Sequence, residues 1–94
     1  MSKLDKVTKL VEKGKEAPLI KLAGDKDKEV RLAAIEAMGR IGKDDSFNAM
    51  VPDMLTDEDP DIRAAAATAL GVMEKDEKVV AAMKAAITNL GGSD

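Results

Sequence analysis

Apolar side chains return along this chain every three or four residues, the spacing that gathers them on one face of an α-helix, and glycine or proline breaks the pattern at short intervals. Leu4, Val7, Leu10 and Val11 form the first stripe, with Lys3, Lys6, Lys9 and Lys13 beside and behind it and Gly14 as the stop, which predicts an amphipathic helix over 3–13. Ala17, Leu19, Ile20, Leu22 and Ala23 predict a short helix from Lys15 to Ala23 that tolerates Pro18 in its first turn and ends at Gly24. A third helix begins at the capping residue Asp27, buries Val30, Ala33, Ala34, Ala37, Met38 and Ile41, and stops at Gly42. A fourth, from about Ser46 to Leu55, places Ala49, Val51 and Met54 where the second has Ala17, Leu19 and Leu22. Its Pro52 predicts either a kink or a start later than Ser46, because proline inside a helix removes a backbone donor and crowds the preceding turn. Asp59 with Pro60 marks the start of a fifth helix, and Val79, Met83, Ala86, Ile87 and Leu90 form the stripe of a sixth over 77–90, ended by Gly91 and Gly92.

These stripes are not independent. Residues 25–42, DKDKEVRLAAIEAMGRIG, return 32 positions later as 57–74, DEDPDIRAAAATALGVME, with seven of 18 positions identical. A fixed period of this length predicts a helical array, in which each unit buries its apolar face only by stacking on the next. The expected architecture is all-α, a short α-α superhelix of about six helices in three antiparallel pairs. Residues 1–94 then form one repeat domain, with a capping helix over 3–13, repeats over about 15–42 and 46–74, and a final polar-backed helix over 77–90.

Composition refines this picture. The apolar set is 27 large aliphatic or Phe side chains and 15 alanines, with Phe47 the one aromatic, so the core has to come from helices that approach closely. Neither cysteine nor histidine is present, which excludes a disulfide framework, a thiolate nucleophile and Cys or His metal ligation. The N-terminus, MSKLDKVTKL, has no apolar core of a signal peptide, and the expected location is the cytoplasm. The net charge of −3 is unevenly divided: residues 1–43 carry 11 basic and 7 acidic groups, and residues 44–94 carry 4 and 11.

The phrase D-x-D-x-x-V/I-R-x-A-A-x-x-A-L/M-G, present twice, resembles the second helix of HEAT-like repeats, especially the short repeats similar to those of phycobilin lyases. The resemblance implies that residues 15–24, 46–55 and 77–90 are first helices and that residues 3–13 are a shortened second helix. Pro18 and Pro52 depart from the position of the usual first-helix proline. By the same resemblance, Asp27 with Arg31 and Asp59 with Arg63 would form an Asp and Arg ladder between adjacent repeats. The family's members serve as scaffolds, regulatory subunits, chromophore-handling proteins and, in one branch, DNA glycosylases, so the motif points to a fold more than to an activity.

Candidate chemistry narrows the function by elimination. The acidic turn Asp57, Glu58, Asp59, Asp61 invites a calcium site, but the sixth loop position is Ile62 in place of Gly and the twelfth is Thr68 in place of Glu. Ser2, Ser46 and Ser93 have no histidine to activate them, and the acidic residues fall at caps and solvent faces, so neither an enzyme nor a cofactor or metal site is expected. Lys3, Lys6, Lys9, Lys13, Lys15, Lys21, Lys26 and Lys28 make a nucleic-acid-binding module the alternative, against which stand the net charge and the missing stacking aromatics. The principal expectation is a monomeric protein-interaction module, a small scaffold or adaptor. In this fold the second helices line the concave surface, and helical spacing leaves Leu32, Glu36 and Arg40, with Thr68 and Val72 on the next repeat, as the contact set for a protein or peptide.

Overall fold

A computed structural model describes residues 2–73, which form five α-helices and, among them, no strand: α1 Lys3–Lys13, α2 Glu16–Leu22, α3 Lys28–Ile41, α4 Asp44–Thr56 and α5 Pro60–Met73. The helix expected over 77–90 lies outside the described residues. Helices α1, α3 and α5 make one layer and α2 and α4 the other. Within each layer neighbours run parallel: Lys28 at the start of α3 meets Asp61 at the start of α5, while Gly39 late in α3 meets Ala69 late in α5.

Local sequence explains the boundaries. Ser2 and Asp5 close a reciprocal capping box at the start of α1, and Gly14 ends it in the left-handed conformation, φ 65°, where its amide reaches back to the carbonyls of Leu10 and Val11. Asp27 and Asp59 each accept the amide two residues on, Glu29 at 3.0 Å and Asp61 at 2.8 Å, which satisfies donors that the first turn of a helix leaves free. Pro18 is the third residue of α2, within the first turn.

Helix α4 corrects the sequence reading. It starts at Asp44, earlier than Ser46, and runs on through Pro52 to Thr56. Pro52 and Asn48 are both exposed, so the carbonyl that loses its intrahelical donor lies on the watered side of the helix. The early start has a distant cause. No side chain of α4's own flank caps it; instead Glu16 of α2 accepts the amides of Lys43 at 2.6 Å and Ser46 at 3.0 Å. Partial burial pushes the Glu16 carboxyl up, but the Ser46 hydroxyl, the two amides and the Lys43 charge together hold it below its ordinary range.

The core lies between the layers. Leu19, Ala34, Ile35, Met38, Phe47, Met50, Ile62 and Ala66 are all but sealed from solvent. Ile35 and Gly39, outside the arc expected for α3, are buried because that helix packs against α1, α2, α4 and α5 at once. Ala33 and Ile41, expected inside, are only partly covered.

The polar ladder between repeats also differs from the expectation. Asp27 and Asp59 act as caps, and the residue that receives Arg31 is Asp57, the first aspartate of the next D-x-D, at 2.7 Å. Arg31 Nε also donates to the Ala23 carbonyl at 2.9 Å, and Asp53 stands 3.8 Å from the same guanidinium. Arg63 donates to the Asp57 carbonyl, so two arginines hold one turn. Lys3 repeats the arrangement one unit earlier, on Asp25 at 2.7 Å, and Lys28 reaches Asp61 at 2.6 Å and Asp59 at 3.1 Å. Replacing Arg31 by alanine strips one Asp57 carboxylate oxygen and the Ala23 carbonyl of their guanidinium donor at a partly buried joint, and is expected to lower stability by about 1.5–3 kcal/mol. The exposed substitution Lys9→Ala is expected to stay within about 0.5 kcal/mol. Thermal melts of the two variants check this, and coincident midpoints would dismiss the ladder.

Protonation should act on the same joints. The Arg31 guanidinium and the Asp59 amide hold Asp57 below the usual carboxylate range, Lys3 and the Asp27 amide do so for Asp25, and the Asp61 amide and Lys28 for Asp59. Carboxyls depressed by folding, Glu16 included, contribute stability that is present above their unfolded pKa of about 4 and is lost as pH falls through the folded values. Asp53 runs the other way: burial raises it, against the pull of Arg31, so its contribution is present at low pH and is lost as pH rises through its folded value. Lys28, raised by Asp61 and Asp59, contributes below its unfolded pKa of about 10.4 and loses that contribution above its folded value. Urea midpoints are therefore expected to be level from about pH 5 to about pH 10 and to fall at both ends. At pH 7, Asp57→Asn should lower the midpoint and Asp53→Asn should not; the reverse order would contradict these assignments.

Candidate functional site

The repeat that stacks α5 on α3 also shapes the surface they share. On α3, Leu32, Glu36 and Arg40 follow each other at intervals of four and form a ridge, Leu32 partly buried against the core and the two charged residues exposed. Glu36 accepts from Arg40 Nη2 at 2.8 Å, an ion pair between side chains that are each about two-thirds exposed (69% and 67%), so it contributes little to stability and leaves both charges within reach of a visitor.

Between this ridge and α5 runs a groove of about 560 Å³ lined by Leu32, Glu36, Gly39, Arg40, Ala65, Thr68, Ala69 and Val72. All five residues of the expected contact set border it. Its floor is made by residues that the sequence reading did not select: Gly39, Ala65 and Ala69. The signal was present, since all three stand at positions identical in the two copies of the repeat, and small size at a repeated position marks close helix approach. A β-carbon placed on Gly39 would lie 2.8 Å from that of Ala69. Val72 forms the far wall with 53% of its surface exposed, and the Thr68 hydroxyl is occupied within its own helix, donating to the Ala64 carbonyl at 3.0 Å.

On the other side of the ridge a smaller groove of about 340 Å³ separates α3 from α1. Leu4, Val7, Thr8, Val11 and Glu12 supply the α1 wall, and Ala33 and Ala37 the α3 wall, with Glu36 and Arg40 again at the rim. Leu4, expected on the buried stripe of α1, is 42% exposed here.

The acidic turn is occupied by the protein itself. Asp57 takes the Asp59 amide on one oxygen and Arg31 on the other, and Asp59 takes the Asp61 amide and Lys28 in the same way. Among the described residues no group of three or more Asp, Glu, His or Cys side chains is gathered as a metal ion would require. No described helix is long and apolar enough to cross a membrane.

Paired helices, twice-repeated caps and an arginine reaching from one turn to the next define a helical-repeat protein. The family model described as HEAT repeats matches residues 16–90, and the chain belongs to the HEAT-repeat family. HEAT repeats generally mediate contacts between proteins and are typically non-catalytic scaffolds. No curated protein and no solved structure matches the chain.

Proposed function

We propose that this chain is a protein-interaction module, a small scaffold or adaptor that receives a protein or peptide on the face made by α1, α3 and α5, with Leu32, Glu36, Arg40, Thr68 and Val72 as the contact set. It works in the cytoplasm as a monomer. The observation that supports this reading is the convergence of those five residues, drawn from two repeats, on one groove with an apolar floor. A concave, mostly apolar surface with a few polar groups at its rim is the usual form of a recognition site. Two of the lysines that favoured nucleic acid, Lys3 and Lys28, are engaged by carboxylates of the protein itself.

Affinity capture from the source cell, at physiological and at several-fold higher salt, tests the proposal with the wild type and with Thr68→Glu/Val72→Glu. Both substituted residues are exposed, so the variant should fold. A protein retained at both salt concentrations by the wild type and lost by the variant is the expected result. Nucleic acid recovered alone, and released at the higher salt, would make the alternative correct. A protein that binds wild type and variant equally would place the contact elsewhere.

A further inference from the structure

The two grooves differ in what a visitor would meet. The α1 wall of the smaller one carries Glu12 and adds a second negative charge to Glu36. The α5 wall of the larger one, Ala65, Thr68, Ala69 and Val72, carries none, so among the described residues Glu36 and Arg40 on the opposite rim are the charges lining that groove. They stand four residues apart, one helical turn, and the groove lies alongside them for about two turns. A guest of matching periodicity is itself a helix, with an apolar stripe against Ala65, Ala69 and Val72 and two flanking charges one turn apart. Because α3 and α5 run parallel, their dipoles point the same way and favour a guest that runs against them.

We infer that the groove between α3 and α5 selects an amphipathic helix antiparallel to α3, whose apolar stripe is flanked by an acidic residue and, four positions later, a basic one. The acid then faces Arg40 and the base faces Glu36; the opposite order sets like charges together. This rests on the groove being the partner site.

The probes are two synthetic helical peptides about four turns long, equal in composition and sharing one Leu/Ala stripe, one with Glu-x-x-x-Lys and the other with Lys-x-x-x-Glu on its flank. Each is titrated into the wild type and into Glu36→Arg/Arg40→Glu, which keeps the pair on α3 but reverses its order. Using both proteins cancels the difference in the peptides' own helix stability. Binding is followed through the methyl signals of Leu32, Ala65, Ala69 and Val72. The expected result is a preference of the wild type for the Glu-first peptide that inverts in the variant, the ratio of preferences changing on the order of tenfold at low ionic strength and shrinking with added salt. The same preference in both proteins, no preference in either, or no binding of either peptide overturns the inference. Failure of the groove itself has a separate signature, a cellular partner indifferent to Thr68→Glu/Val72→Glu.

Discussion

Replacing Phe47 by alanine is expected to cost about 3–5 kcal/mol, the range for deleting a buried aromatic side chain. The ring is 1% exposed and is the largest of the fully buried side chains, set in a core otherwise made of aliphatic residues, methionine and alanine. Domains of this size are held by about 5–15 kcal/mol in total, so the loss would remove a fifth or more of the margin, and all of it at the low end of that range. Urea denaturation followed by circular dichroism measures it. Phe47→Leu, which keeps most of the volume, is expected to cost about 1.5 kcal/mol or less. If Phe47→Ala costs no more than Phe47→Leu, the ring is not the centre of the core.

The second large effect comes from two glycines that occupy the same place in the repeat. At Gly39 an added methyl group meets Ala69 at 2.8 Å from its side chain and 3.0 Å from its Cα, a wall that can yield only if α5 moves. At Gly71 nothing among the described residues lies within 4 Å of such a methyl group. Gly39→Ala is therefore expected to destabilise by about 1–3 kcal/mol through overpacking, whereas Gly71→Ala should stabilise by about 0.5–1 kcal/mol because alanine is the better residue within a helix. Opposite shifts in melting temperature check the pair. Equal shifts would mean that the separation of α3 and α5 is not set at Gly39.

What could be read in advance followed from how local each cause was. The D-x-D phrase and its period announced the caps, the helical array and the family, because capping and helix periodicity act within a few residues. The start of α4 was hidden because its cap, Glu16, stands 27 residues before Lys43; Ser46, a good capping residue by type, is instead buried inside the helix. The ladder was misassigned for a related reason. The two aspartates of D-x-D look alike in sequence, and only the geometry of the turn aims Asp57 at Arg31 while Asp59 serves the helix amides. The five groove residues were legible because they share one face of two helices with known register. The groove's floor was less so, since depth comes from the distance between helices, which Gly39 and Ala69 set through contact.

The direction of the joints between repeats bears on the order in which the chain is made. Among the described residues, a side chain from the earlier unit reaches forward to the later one: Glu16 finishes the start of α4, Arg31 holds the turn at Asp57, and Lys28 meets the cap of α5. As the polypeptide leaves the ribosome from its N-terminus, the starts of α4 and α5 emerge after the groups of the earlier unit that meet them. The nascent molecule can therefore grow by accretion, each finished unit acting as the template for the next, with no need to hold an uncapped helix open while a distant partner is still being synthesised.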